Sequence, residues 1–187
     1  MRSSSLIFCS LIFSTIPLTH AKACDEHDKH ASHPLASASA TLMDQAKKEL
    51  GTLSLRETPN GILAQIHVEH TPAGWHGIHI HAQGLCAQGD FADAGAHASQ
   101  QPHKDHQHIT SHGFLVKDGY HSGDMPNIWV HKDGTARVDF FLPHQTLATF
   151  LDEDGAAVIL HAQKDDYQSQ PAGNAGARIA CGVLNKR

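Results

Sequence analysis

The sequence is poor in several features that define other classes of protein. Aromatic residues make up only 6% and charged residues only 18% of its 187 positions, and basic residues do not outnumber acidic ones. The formal net charge of -5 argues against a nucleic-acid partner, which would require a basic surface. After residue 18 no apolar run is long enough to cross a bilayer, so we predict no membrane span.

Histidine is the residue that the sequence has in excess, with 18 in the chain. Imidazole is the commonest metal-binding side chain, so metal binding is the first hypothesis. The length suits one domain, and the 40% hydrophobic content is typical of a globular protein rather than a disordered one.

The first 23 residues predict a secretory signal peptide. Arg2 precedes an apolar run over residues 6–18, and cleavage could follow Ala21 or Ala23. Export would place the mature protein in an oxidising compartment, where disulfides persist. Residues 24–37 predict a His-rich tail, which either binds metal or is a solvated polar segment. Residues 38–187 predict the folded domain, and its cysteines together with Cys24 make an odd number.

The remaining pattern predicts an all-β fold, an antiparallel sandwich or barrel of eight short strands. Two long stretches, 84–126 and 164–176, contain much of the glycine, histidine and aspartate and are predicted to be functional loops. The predicted strands are 40–45, 50–58, 61–70, 75–83, 127–132, 136–143, 156–163 and 177–185.

Histidines alternate with aliphatic residues at the ends of two predicted strands. Ile78 and Ile80 would face the core, which places His79 and His81 together on the outer wall. His161 follows Val158 and Leu160 with the same alternation. Two nitrogens on one rigid strand face can bind a single metal.

Further candidate ligands lie in the first long loop. Three imidazoles and one carboxylate suit a tetrahedral zinc site, while three or four imidazoles suit copper equally well. His76 falls on the isoleucine face and is better explained as a hydrogen-bonded structural residue. The loop candidates are His97, His112, His121 and Asp124.

Four segments, in order along the chain, resemble the signatures of the Cu,Zn superoxide dismutase family. The resemblance covers residues 40–184, and Met125-Pro126 with the short Asp165–Pro171 loop resembles the bacterial periplasmic branch. The matching segments are Gly74–His81, Ala94–His97, His121–Asp124 and Gly173–Val183.

This resemblance implies an eight-stranded Greek-key barrel that converts superoxide to oxygen and hydrogen peroxide. It also implies that His97 bridges two metals and takes part in catalysis. The implied copper ligands are His79, His81, His97 and His161, and the implied zinc ligands are His97, His112, His121 and Asp124.

The resemblance assigns three further roles. Cys86 and Cys181 would form the intrasubunit disulfide of the family. Arg178 would bind the superoxide anion beside copper, since a guanidinium stays protonated. Asp165 would link a copper histidine to a zinc histidine and fix their rings.

The chain departs from the family pattern at two places. The interval from His97 to His112 is long and contains other histidines that could replace His112 as a zinc ligand: His103, His106 and His108. The interval from His161 to Arg178 is short, so superoxide would be steered by other residues than in the longer loop of animal enzymes, and Lys104 and Lys164 are the candidates.

Both the activity and the oligomeric state have an alternative interpretation that stays open at this stage. A periplasmic copper and zinc buffer on the same fold would use the histidines without catalysis, although storage has no use for Arg178. Trp129 suits either a homodimer interface or ordinary packing.

Overall fold

The computed structural model describes residues 35–99, 111–117 and 119–187, and these residues form an antiparallel β fold without an α-helix. Two short 3-10 helices, Ala92–Ala94 and Leu147–Thr149, lie in the connections. The strands are β1 Ser37–Met43, β2 Glu49–Thr58, β3 Gly61–Val68, β4 Gly74–His76, β5 Ile78–His81, β6 Ile128–Val130, β7 Ala136–Pro143, β8 Ala157–His161, β9 Arg178–Val183 and β10 Asn185–Lys186.

Alternating aliphatic residues produce the core of the sheet. In β3, Ile62, Ala64, Ile66 and Val68 are all buried, whereas Gln65 on the other face is exposed. Burying a leucine or isoleucine side chain stabilises the fold by about 1.5–3 kcal/mol. The same alternation in the neighbouring strands closes one core on the inner face of the curled sheet.

The main sheet has the order β5-β8-β9-β1-β2-β3-β7, with antiparallel neighbours throughout and with β10 beside β1. Strands β8 and β9 therefore lie between β5 and β1 in the sheet, although they come late in the chain. Strands β4 and β6 form a separate two-stranded sheet. The predicted all-β antiparallel architecture is confirmed.

The described residues contain ten strands rather than the predicted eight, because two predicted strands each divide. The first division falls at Gly77, whose N–H donates to the Gln163 carbonyl at 2.8 Å and whose carbonyl accepts from the His161 N–H at 2.9 Å. Trp75, by contrast, pairs with Trp129 of β6. The second division falls at Leu184, whose N–H donates to the Ala156 carbonyl.

Strand β8 is buried on both faces. Its second face, with Ala157 and Ile159, packs against Phe91 and Ala94 of the long connection between β5 and β6. The predicted disulfide between Cys86 and Cys181 is confirmed, and it ties this connection to β9.

Several sequence predictions fall outside the described residues. They concern the signal peptide, most of the His-rich tail, Cys24, Lys104 and the histidines at 103, 106 and 108. Trp129 is 46% exposed and contacts Trp75 edge to face, with ring centroids 5.2 Å apart, and a homodimer at this surface stays a prediction. Among the described residues, none belongs to a helix with the length and apolar character that crossing a membrane requires.

Candidate metal centre

Strand β5 supplies two of the imidazoles and the edge against which the first loop docks. The Ile80 carbonyl accepts from Ala98 N–H at 2.9 Å, and its N–H donates to the Gly123 carbonyl at 2.9 Å. These bonds pair His81 with His97 and His79 with Asp124 as isolated antiparallel bridges. The open edge of a sheet thus brings loop ligands beside strand ligands.

Four imidazoles converge on one point, and each directs one nitrogen towards it. In every case the nitrogen has no hydrogen-bond partner among the described residues, and the four ligand atoms lie within 4.8 Å of one another. All four residues are buried, at 5% exposure or less. The atoms are His79 Nδ1, His81 Nε2, His97 Nε2 and His161 Nε2.

The opposite nitrogen of three of these rings is held by an oxygen acceptor. His79 Nε2 contacts Asp165 Oδ2 at 2.8 Å, His81 Nδ1 contacts the Gly95 carbonyl at 2.9 Å, and His161 Nδ1 contacts the Gly176 carbonyl at 3.3 Å. Such contacts fix the ring and its tautomer and leave the other nitrogen free for a metal. Although these rings lie on the outer wall of the sheet, the two loops cover them.

The second group is built around Asp124. Its Oδ1 lies 2.7 Å from His97 Nδ1 and 3.6 Å from His121 Nδ1, and its Oδ2 lies 3.0 Å from His112 Nδ1. The Nδ1 atoms of His112 and His121 make no hydrogen bond among the described residues. Three imidazole nitrogens and a carboxylate oxygen are the ligand set that tetrahedral zinc accepts.

His97 belongs to both groups, since its Nε2 faces the four-imidazole group and its Nδ1 faces Asp124. The structure therefore brings together all seven residues that the resemblance implies as copper and zinc ligands, whereas the alternative histidines at 103, 106 and 108 lie outside the described residues. Both donor sets fit their metals, because buried imidazole nitrogens without a partner are costly unless an ion occupies the point on which they converge.

Burial is the largest influence on the pKa values of three histidines in the four-imidazole group. Burial lowers the pKa of His97 to about 4 and that of His161 to about 3, and it lowers the pKa of His81 well below its usual value. Neutral imidazole is the form that binds a metal, so these residues are already in the correct state at neutral pH.

Charged partners reverse the effect of burial at the second group. Burial would lower the pKa of His112, but the adjacent carboxylates of Asp124 and Asp165 outweigh it and raise that pKa to about 9. Burial likewise disfavours the charged carboxylate of Asp124, but the adjacent imidazoles of His112, His121 and His97 hold its pKa far below the usual range.

Arg178 lies at the start of β9, beside the four-imidazole group. Its Nη1 donates to the Phe91 carbonyl at 2.5 Å and its Nη2 to the Gly95 carbonyl at 2.7 Å. Burial lowers its pKa, and the charges of Asp90 and Asp93 oppose that shift. Its acceptors are neutral, so no contact within the described chain cancels its charge directly.

Asp165 contacts rings of both groups. Its Oδ2 lies 2.8 Å from His79 Nε2, and its Oδ1 lies 3.0 Å from His112 Nε2. Asn127 holds the Asp165 backbone by accepting from its N–H at 2.8 Å and donating to its carbonyl at 2.9 Å. The contribution of Asn127 was not predicted, because no feature of a single sequence shows which loop its amide reaches.

His76 and Lys164 complete the set of predicted residues. His76 is buried, with its ring nitrogens 2.8 Å from the His161 carbonyl and 2.7 Å from the Pro72 carbonyl, which confirms the prediction of a structural histidine. Lys164 is exposed next to Asp165.

A family model and individual relatives both match most of this chain. Residues 49–184 match the family described as copper/zinc superoxide dismutase (SODC). The superoxide dismutase [Cu-Zn] of Caulobacter vibrioides is 38% identical over 154 residues, which cover 79% of this chain and 85% of that protein. The first such enzyme of Aquifex aeolicus is 36% identical, covering 78% of this chain and 85% of the relative.

Solved structures of related proteins resemble this chain in both fold and sequence. The crystal structure of a SOD-like protein from Bacillus subtilis has a TM-score of 0.70 at 34% identity, covering 79% of this chain and 97% of that one. The Cu/Zn superoxide dismutase from Brucella abortus has a TM-score of 0.64 at 29% identity, covering 80% and 99%.

Proposed function

The chain belongs to the copper/zinc superoxide dismutase family, and we propose that its two metals are bound by the two groups of side chains that share His97. The reaction consumes two superoxide anions and two protons and yields oxygen and hydrogen peroxide. Copper is bound by His79, His81, His97 and His161, and zinc is bound by His97, His112, His121 and Asp124.

One observation carries this assignment: four buried imidazole nitrogens without partners point at one another. A folded protein rarely leaves so many buried polar atoms unsatisfied. A copper ion at their centre satisfies all four at once, and the acceptors on the far side of the rings hold each nitrogen in place.

When bound, copper would supply a one-electron redox couple for superoxide, and zinc would supply a positive charge close to His97. The imidazole of His97 would be held by both metals, and its Nε2 would carry a proton for the peroxide product whenever that nitrogen is not bound to copper. Without the metals, burial lowers the pKa of this ring to about 4, so the ring is neutral before the metals bind.

Arg178 binds the anion at the mouth of the site. Two carbonyl acceptors fix the guanidinium plane, so its remaining N–H groups are preorganised for a small anion. Asp165 is a positioning residue, since it contacts rings and not the substrate.

The deciding experiment measures copper and zinc content and superoxide disproportionation on the same purified sample. The expected result is one copper and one zinc per chain with rapid disproportionation. A sample with both metals and no activity would favour a copper and zinc buffer. Arg178 speaks against that alternative, because storage of cations needs no anion-binding guanidinium.

We also propose that residues 1–23 direct export and are removed, so that the mature enzyme protects the periplasm. The disulfide between Cys86 and Cys181 supports this location, because such bonds persist in oxidising compartments. Fractionation of the producing cells, with the intact mass of the purified protein, tests it. A cytoplasmic protein that retains residue 1 would contradict export.

A further inference from the structure

The loop between β8 and β9, residues 162–177, holds the backbone of one candidate zinc ligand. The side-chain Oε1 of Gln170 accepts from the His112 N–H at 2.8 Å, and its Nε2 donates to the His112 carbonyl at 2.9 Å. These residues are 58 positions apart in the chain. One amide therefore binds both polar groups of the ligand's own peptide backbone.

The same loop also holds the ring of His112. Asp165 Oδ1 lies 3.0 Å from His112 Nε2, and Gly173 leaves the space that this contact needs. A Cβ at Gly173 would lie 1.8 Å from Asp165 Oδ1 and 2.7 Å from His112 Nε2. With the backbone and Nε2 both fixed, Nδ1 is directed towards Asp124.

Gln170 is itself held in place. Its Nε2 also donates to the Gln168 carbonyl at 3.0 Å. Asp166 closes this part of the loop by accepting from Ser169 Oγ at 2.6 Å and from Asn174 Nδ2 at 3.1 Å. The amide thus meets His112 in a fixed orientation, which reduces the entropy lost on forming the two bonds.

His112 needs such support more than the other members of the zinc group. His97 and Asp124 are bridged to strand β5, and the His121 N–H donates to Asp124 Oδ2 at 2.9 Å. His112 lies in no strand, and the next residue, Gly113, has a φ of 103°. Its own N–H and carbonyl are the groups that Gln170 binds.

We propose that Gln170 is a positioning residue for zinc, and that its amide holds the His112 backbone so that the His112 ring meets the metal. This inference rests on the proposed zinc ligand set. In this proposal the loop after β8 supports a zinc ligand. The two bonds from Gln170 also give a physical reason why zinc would bind His112 rather than another of the four histidines in that stretch of the sequence.

Gln170→Ala removes both bonds, and Gln170→Glu keeps an acceptor but places a carboxylate against the His112 carbonyl. Gln168→Ala is the matched control, since Gln168 is an exposed neighbour whose side chain makes no hydrogen bond among the described residues. The measurement is the rate at which fully metallated protein releases zinc, and separately copper, to a chelator.

We expect zinc release about ten-fold faster in Gln170→Ala, the size of effect typical of groups that support metal ligands. Gln170→Glu should release zinc at least as fast, while Gln168→Ala should match the native protein. Copper release should stay unchanged in all three variants, because Gln170 touches no copper ligand.

Unchanged zinc release in Gln170→Ala would overturn this inference and leave the ligand assignment intact. Equal acceleration of zinc and copper release, with a lower unfolding free energy of the metal-free protein, would also overturn it, since a general structural role has that signature. A native protein that binds no zinc would overturn the ligand assignment and this inference together.

Discussion

At the scale of single residues, His97 has two environments on one ring. Its Nε2 faces three other imidazoles and its Nδ1 faces Asp124. No other residue of the described chain belongs to both proposed metal groups. The consequences of removing His97 should therefore differ from those of removing a ligand of one metal only.

We predict that His97→Ala lowers the content of both copper and zinc, whereas His161→Ala lowers mainly copper. The reason is that His161 contributes only to the four-imidazole group. Metal analysis after dialysis against a weak chelator measures this. Matching losses of both metals in the two variants would show that His97 does not bridge them.

Arg178 combines a fixed geometry with an uncancelled charge. Both carbonyls that bind it belong to the connection between β5 and β6, on which Asp90 and Asp93 also lie. Those two negative charges reduce the positive potential that an approaching anion meets. The attraction at this site is therefore local and sensitive to single charge changes.

We predict that Arg178→Glu lowers kcat/KM for superoxide by ten-fold or more while both metals stay bound. Charge reversal repels the anion at its docking point, and added salt should narrow the difference because mobile ions screen it. Stopped-flow decay of superoxide at several ionic strengths measures both effects. Arg137→Glu, at an exposed position on β7, is the control and should change the rate little; a full rate in Arg178→Glu would make Arg178 purely structural.

Among the structural elements, the long connection between β5 and β6 is attached to the main sheet at several points. Backbone bonds join it to the free edge of β5, and the disulfide joins it to β9. Phe91 and Ala94 of this loop pack on the second face of β8. The residues that position Arg178 thus lie in a segment anchored on three strands.

We predict that replacing Cys86 and Cys181 together by serine destabilises the metal-free protein by roughly 4–5 kcal/mol. The bond joins residues 95 positions apart, and closing a loop of this length restricts the unfolded chain by that amount in the chain-entropy model. Urea unfolding without reductant measures the change.

A reductant should bring the native protein to the stability of this variant and leave the variant itself unaffected. A reductant-insensitive native protein, or a variant with native stability, would contradict the prediction.

At the scale of the whole molecule, the buried site couples folding to pH. The pKa of His97 falls to about 4 and that of His161 to about 3, below the unfolded value near 6.5. These groups stabilise the fold above pH 6.5, and that stabilisation is lost as pH falls towards 3. His112, with its pKa raised to about 9, stabilises the fold below pH 6.5 and loses this effect as pH rises through 9.

We predict that the unfolding free energy of the metal-free protein is greatest near pH 6.5 and falls on both sides. Chemical unfolding from pH 4 to pH 9 tests this. His112→Gln should abolish the decline on the alkaline side. Bound zinc should also abolish it, because the metal requires the deprotonated ring. A native metal-free protein whose stability rises from pH 6.5 to 9 would contradict the assignment.

The strand alternation could be predicted from the order of the residues alone, because burial on a sheet repeats every second residue. The sequence also contained the candidate ligands and, through the family resemblance, the disulfide. The break at Gly77 could not be predicted, since it depends on bonds to Gln163 and His161, more than eighty residues away.

The groups that hold the ligands, and the ligand nitrogens that make no hydrogen bond, depend on contacts between distant parts of the chain. The free edge of β5 brings His97 and Asp124 to His79, and the amide of Gln170 binds the backbone of His112. Both contacts are hydrogen bonds between residues that are distant in the chain, and no local pattern of the sequence indicates them. Residue type tells that an imidazole can bind a metal, but the orientation of its ring is set by the acceptor behind it, and that acceptor is placed by the fold.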